Sequence, residues 1–269
     1  MIETLITYLV LGSVAGVVAG LFGIGGGLLI VPVLIFSFTA QAMPEVVVTH
    51  AAVATSLATI VVTSISSVLA HNKRGAVRFD QFKPLAVGVA VGAMVGVWIA
   101  DQLSGDNLQI IFGVFACMVA VQMAFDLKPR QGKSTPENLE LGVAGSVIGG
   151  ASSIFGIGGG TLTVPYLTAR GSEMREAVGT SAAVGLPIAL FSALAYIWAG
   201  QDAAGMPAYS VGYIYLPAFV GIAIASSQFA RVGAKLAHSL PQKHLKKIFA
   251  IFLMVIGVRF LLINLMGLA

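Results

Sequence analysis

Eight stretches of this 269-residue chain, at roughly 4–22, 46–70, 84–103, 108–126, 138–155, 176–199, 212–230 and 245–267, are long and apolar enough to read as membrane crossings. About 20 apolar residues in a helix cover roughly 30 Å of hydrocarbon. No water reaches the backbone there, so each N–H and C=O must be satisfied within the segment, and a helix is the only open-ended solution. The mean hydropathy of +0.94 and a charged fraction of 10% agree, against about 25% charged residues in soluble domains. A cytosolic enzyme, a disordered chain and a nucleic-acid-binding module are excluded. The formal charge of +4 then reads as a topology signal. The single Cys117, inside an apolar run, excludes a disulfide framework and a cysteine zinc site. Met1–Thr4 holds Glu3 and no basic residue, unlike the positive start of a secretory signal, so the first run is expected to remain as a permanent span.

Two shorter apolar pieces, Gly26 to Phe38 and Gly159 to Ala169, follow the first and fifth runs. As helices they reach about 20 Å or less. A glycine cluster precedes each, and the clusters expose a duplication. Phe22-Gly-Ile-Gly-Gly-Gly27 leads into Leu28-Leu-Ile-Val-Pro32, and Phe155-Gly-Ile-Gly-Gly-Gly160 into Thr161-Leu-Thr-Val-Pro165. Ala54-Thr55-Ser56 and Gly179-Thr180-Ser181 recur inside the next long run, and Pro84 and Gly88 match Pro217 and Gly221. The chain reads as two copies of one unit, 1–127 and 139–269, joined by a polar linker at 128–138.

Basic residues give the relation between the copies. If each short piece returns to the side it came from, making a hairpin with the preceding span, every Lys and Arg except Arg259 falls on one face. Basic loops are retained in the cytoplasm, so both termini are expected outside and the linker inside. If the short pieces crossed, the basic loops would divide between the two sides. The expected fold is an all-α polytopic membrane protein: an inverted repeat of two units, each a helix hairpin with a short half-helix plus three transmembrane helices. Many secondary transporters share this plan.

The clusters resemble a dinucleotide fingerprint, but that motif needs a soluble βαβ unit, and these flanks are membrane helices. Close helix packing explains one copy. Two copies suit a ligand site, because a glycine run between helices leaves N–H groups unpaired in an anion-binding concavity. Each short helix adds its free N-terminal amides and positive dipole end. Gly23, Gly25, Gly26 and Gly27, with Gly156, Gly158, Gly159 and Gly160, are therefore candidate anion-binding residues. Thr55, Ser56, Thr180 and Ser181 offer hydroxyl donors, although such groups often bond back to the preceding turn. Thr161 follows the second cluster where Leu28 follows the first, so its role would be asymmetric. Arg259 is the one basic residue deep in a span; it either faces the substrate path or snorkels to the interface. His50 reads as interfacial, and Asp101, Asp126 and Asp202 as solvated span ends. No His-Glu-x-x-His motif is present, and no metal, cofactor or catalytic constellation is expected. Gly88, Gly92 and Gly96 form a small-residue face for a helix seam, within one subunit or between two in a homodimer.

The duplicated Phe-Gly-Ile-Gly-Gly-Gly and Val-Pro elements, with the Ala-Thr-Ser and Gly-Thr-Ser segments, resemble the sulfite exporter TauE/SafE family of membrane permeases over essentially the whole chain. The resemblance implies a multi-pass carrier in the bacterial cell (inner) membrane for a small sulfur-containing oxyanion such as sulfite, a sulfonate, sulfoacetate or thiosulfate, acting in export. The expected activity is binding and release by alternating access, without bond chemistry. The alternatives are an anion channel and an accessory membrane subunit. The partners are the lipid bilayer and the anion.

Overall fold

The computed structural model describes residues 2–22, 26–125, 136–239 and 242–266. Among them are ten helices: α1 (Ile2–Phe22), α2 (Gly27–Ala40), α3 (Glu45–Lys73), α4 (Phe79–Asp101), α5 (Gly105–Ala124), α6 (Asn138–Phe155), α7 (Gly160–Ala169), α8 (Met174–Ala199), α9 (Leu216–Ser239) and α10 (Gln242–Met266). The protein is an all-α polytopic membrane protein. Five of these helices, α3, α4, α5, α8 and the Leu245–Met266 part of α10, are each long and apolar enough to cross a bilayer. α1 and α9, of 21 and 24 residues, contain the apolar cores Ile6–Ala19 and Leu216–Ala230 among their described residues. In α6, Glu140 and the run of glycines and serines dilute the hydropathy.

Each short helix carries an internal proline and runs on past it, to Ala40 in α2 and Ala169 in α7. Pro32 and Pro165 each occupy the sixth position of α2 and α7, where the missing N–H and the ring interrupt the helical ladder. Ahead of α7, Gly156 closes α6 in the left-handed region, at φ 65°, a position that suits glycine because it has no Cβ.

Outward-facing large apolar side chains cover the flanks, including Val87, Val91, Met94 and Trp98 on α4 and Ile248, Ile251, Val255 and Leu262 on α10. A continuous apolar surface of this kind is stable only against lipid. Trp98 and Trp198, both exposed, sit near the ends of α4 and α8, where indole rings favour the headgroup boundary.

The two halves interleave. α1 packs mainly on α9 and α4 mainly on α6, while α5 lies along α10 and α3 along α8. Exchanging the two halves of the duplication turns the first pair into the second and leaves the last two pairs unchanged. The Gly88, Gly92 and Gly96 face is the α4–α6 seam, inside the subunit: a Cβ at those positions would lie 2.0 Å from the Gly142 carbonyl oxygen, 1.9 Å from that of Ser146 and 2.4 Å from that of Gly150. On the α1–α9 side, a Cβ on Gly12 or Gly16 would sit 2.7 Å from the Cα of Ile222 or Ser226.

The expected seventh span begins four residues late. Residues 212–215 instead belong to a small antiparallel hairpin, β1 (Ser210–Val211) and β2 (Ile214–Tyr215), with Ser210 paired to Tyr215. Gly212, at φ 55°, makes the turn, and Pro217 starts α9 in the first helical turn, where a missing N–H costs nothing.

Candidate functional site

The second glycine segment is held from below and behind. Ser152 and Ser153 are fully buried on α6, and the Ile157 amide donates to the Ser152 carbonyl at 3.0 Å. Ser56 of α3 donates its hydroxyl to the Gly156 carbonyl at 2.8 Å. The chain then passes Gly158 and Gly159 into α7, whose first amides have no partner within the helix. The first glycine segment comes back to back with this tip: a Cβ on Gly27 would lie 2.5 Å from the Gly156 carbonyl oxygen and 2.7 Å from Ile157 Cα. Both short helices therefore start at one place in the centre of the bundle.

A cavity of about 400 Å³ opens at that place. Gly26, Gly158, Gly159 and Gly160 form its floor. Its walls are Ala15 and Ala19 of α1, the α3 stripe Ile60, Thr63, Ser64, Ser67 and His71, Ser181, Ala182 and Gly185 of α8, and Ser226 and Ala230 of α9. The α3 residues recur every three or four positions, so they fall on one helix face. Two buried wall hydroxyls, Ser181 Oγ and Ser226 Oγ, have no hydrogen-bond partner. A buried hydroxyl without a partner carries a desolvation cost of about 1–3 kcal/mol, which a ligand oxygen would relieve. The lining holds no carboxylate, and His71 is its one ionisable side chain among the described residues. Glycine amides and hydroxyls, with no acid among them, suit a small anion.

The cavity lining extends to His71 in the last turn of α3, at the end of the bundle where α8 begins. There Arg78 pairs with Glu176 of α8 at 3.1 Å and with Asp80 at 2.8 Å, and both acids favour its charged form. The Arg175 guanidinium donates to the Arg74 carbonyl, and Arg170 pairs with Glu140 of α6. Basic segments from both halves thus collect at one end.

The opposite end is closed. The hairpin lies over it, with Tyr213 stacked on His50 at 5.1 Å and donating its hydroxyl to Asp101 at 3.1 Å. Burial, reinforced by Asp101, pushes the Tyr213 phenol up to about 12, so this donor persists through the neutral range. Tyr196, fully buried beside it, donates to the Ser153 carbonyl at 3.2 Å. Tyr8, Phe38 and Tyr215 complete the closure as three edge-to-face pairs. His50, expected at the interface, is buried, and its Nε2 donates to the Ala100 carbonyl at 3.0 Å. Asp101, expected to be solvated, is the Tyr213 acceptor.

Of the residues singled out from sequence, Gly26, Gly158, Gly159, Gly160 and Ser181 line the cavity. Gly23 and Gly25 lie outside the described residues, as does Asp126. Gly27, Gly156 and Ser56 hold the two tips together. Thr55 and Thr180 share another task. Thr55 Oγ1 accepts from the Tyr215 amide at 3.1 Å and Thr180 Oγ1 from the Arg78 amide at 2.9 Å, so each fixes the residue just before a long helix of the other half, α9 and α4 respectively. Thr161 Oγ1 is buried without a partner but outside the cavity lining. Arg259 is not brought to the cavity: it is exposed on α10, its guanidinium 4.4 Å above the Phe36 ring. The reading missed Ser226 and the α3 stripe. The stripe carried a helical-period signal, whereas Ser226 reaches the cavity only through α1–α9 packing.

The sequence profile of the sulfite exporter TauE/SafE family matches residues 8–260. This chain belongs to the TauE/SafE family. It is 39% identical to a Haemophilus influenzae protein described as a "Probable membrane transporter protein", over 97% of this chain and 100% of that one. It is 28% identical to a Methanocaldococcus jannaschii protein of like description, over 94% of each. A Bacillus subtilis relative, again described as a probable membrane transporter, is 29% identical over 59% of this chain and 65% of its own length. No solved structure matches. As a TauE/SafE protein the chain is a multi-pass membrane transporter and not an enzyme, so the cavity is to be read as a place for binding and release.

Proposed function

We propose that the protein is a secondary carrier that exports a small sulfur oxyanion (sulfite, a sulfonate, sulfoacetate or thiosulfate) across the bacterial cell (inner) membrane by alternating access. The observation that carries this reading is the central cavity with an all-glycine floor and two unpartnered buried hydroxyls, Ser181 and Ser226. The substrate exchanges part of its water shell for glycine amides and serine hydroxyls. Its sulfur chemistry rests on family membership. An anion leaving a cell whose interior is negative gains about 2.3 kcal/mol per charge per 100 mV, so export needs no further driving ion.

In this reading units 1–127 and 139–269 form an inverted repeat about the linker 128–138, with the basic end cytoplasmic and both termini outside. Two contacts support the inversion. His50, at the start of α3, stacks on Tyr213, which follows the end of α8, while Arg78, after α3, meets Glu176 at the start of α8. The cavity then opens inward, and the aromatic closure beneath the hairpin is the outer gate. That closure favours a carrier over an open channel. Tags at the two ends are expected to react with a membrane-impermeant reagent in intact cells; protection of either one overturns the inversion.

The anion reading is tested by melting the purified protein against sulfite, sulfate, thiosulfate, sulfoacetate, taurine and simple carboxylates. A bound anion raises the melting temperature by mass action. Stabilisation by sulfur oxyanions and not by carboxylates is the expected result; indifference to all of them removes the reading. The double variant Ser181→Ala and Ser226→Ala is expected to melt no lower than wild type, because it deletes unsatisfied hydroxyls, and to bind the anion roughly tenfold more weakly or worse.

A further inference from the structure

We propose that His71 is the pH-sensing anion-binding residue of the cavity, a role that rests on the anion-carrier reading above. It occupies the last turn of α3, on the same face as Ser67, Ser64 and Thr63, and lines the same cavity as the glycine tips from the far end of that face. From Ile60, beside Gly158, to His71 the helix rises about 16 Å, so the imidazole meets the anion on its way and not on the floor. Histidine is the side chain whose ordinary titration falls near neutrality, and nothing else in the lining titrates there among the described residues. Among the described residues, the other groups around it have fixed charge or none. Arg74 follows on the same helix end, and Arg175 of α8 bonds the Arg74 carbonyl; both stay cationic through the neutral range. The cavity faces of α1, α7 and α9 offer Ala15, Ala19, Val164, Ser226 and Ala230, all uncharged. The arginines thus supply a constant attraction and His71 a variable one.

The sign follows from charge. The imidazolium favours the anion and the neutral ring does not, so binding takes up a proton and weakens as pH rises through the titration of His71. A cavity facing the cytoplasm would fill more readily as the interior acidifies, making export responsive to acid load.

The test uses the purified full-length protein and thiosulfate, which stays doubly charged across the neutral range and so adds no titration of its own. Binding is measured by calorimetry between about pH 5 and pH 8, a window carried to the acid side of the ordinary histidine range because burial and the neighbouring Arg74 disfavour the imidazolium of the free protein. Wild-type affinity is expected to fall about tenfold over that interval, the worth of one charge-assisted hydrogen bond. His71→Gln is expected to be flat at the weak, high-pH value and His71→Arg flat at the tight, low-pH value. A structural role alone would not divide the two variants in this way. Melting without anion confirms that each is folded. A Gln variant that keeps the wild-type slope overturns the proposal while leaving the anion reading intact. Wild-type protein that binds neither thiosulfate nor sulfite nor sulfoacetate at any pH overturns the anion reading, and this inference with it.

Discussion

Gly158→Val is expected to bring exchange of labelled thiosulfate or sulfite in liposomes down to background, with the protein still folded and inserted. Gly158 lines the floor of the cavity, and a Cβ there would meet only Ile60 Cγ2, at an ordinary 3.5 Å. The branched side chain therefore fits the backbone and fills the space the substrate needs. It also covers neighbouring amides, removing donors that an anion would require. The adjacent position makes a contrast. A Cβ on Gly159 would lie 2.8 Å from the Ser181 carbonyl oxygen and 3.0 Å from the Gly185 amide nitrogen, so Gly159→Val is expected to lower the melting temperature as well as the flux. Undiminished exchange by a well-inserted Gly158→Val protein would reduce the floor to a packing device.

Gly92→Ala is expected to cost about 1–3 kcal/mol or more through overpacking, read as a lower melting temperature in detergent. The added methyl would sit 1.9 Å from the Ser146 carbonyl oxygen, on a helix backbone that cannot turn aside, so α4 and α6 must separate. Membrane helices have little hydrophobic drive to associate and depend on close contact, so one methyl on this seam weighs heavily. Gly142→Ala on the facing helix is the matched control. Nothing lies within 4 Å of its Cβ position, and alanine favours a helix over glycine by up to about 1 kcal/mol; its melting temperature is expected to hold or rise. Equal loss in both variants would show that helix propensity and not the seam governs the effect.

The two predictions separate kinds of glycine that look alike in the sequence. Gly88, Gly92 and Gly96 are spaced for a helix face, and that spacing was legible; that the face meets α6 of the same chain was not, because any small-residue face could close the gap. The hydroxyl pairs show the same limit. Thr55-Ser56 and Thr180-Ser181 are equivalent by duplication, yet Ser56 bonds a glycine carbonyl while Ser181 stands free in the cavity wall. Arg259, flagged because buried charge in a span is expensive, relieves that cost on the outer flank over Phe36. The hairpin at 210–215 was hidden inside an apolar run, since Ile214 and Tyr215 serve a short strand as readily as a helix.

Sequence alone determined the class of molecule. Twenty-residue apolar runs leave the backbone no choice but helices in lipid, repeated glycine clusters break those helices at matching points, and a proline interrupts the hydrogen-bond ladder within each short helix. Tertiary structure decided which glycines floor a cavity and which clamp a seam, which hydroxyls anchor a backbone and which await a ligand, and which end of the bundle is shut. The physical reason is reach. Hydropathy and backbone constraint act within a few residues along the chain, whereas the cavity depends on α1, α3, α7, α8 and α9 meeting across it, and those contacts follow from packing between segments far apart in sequence.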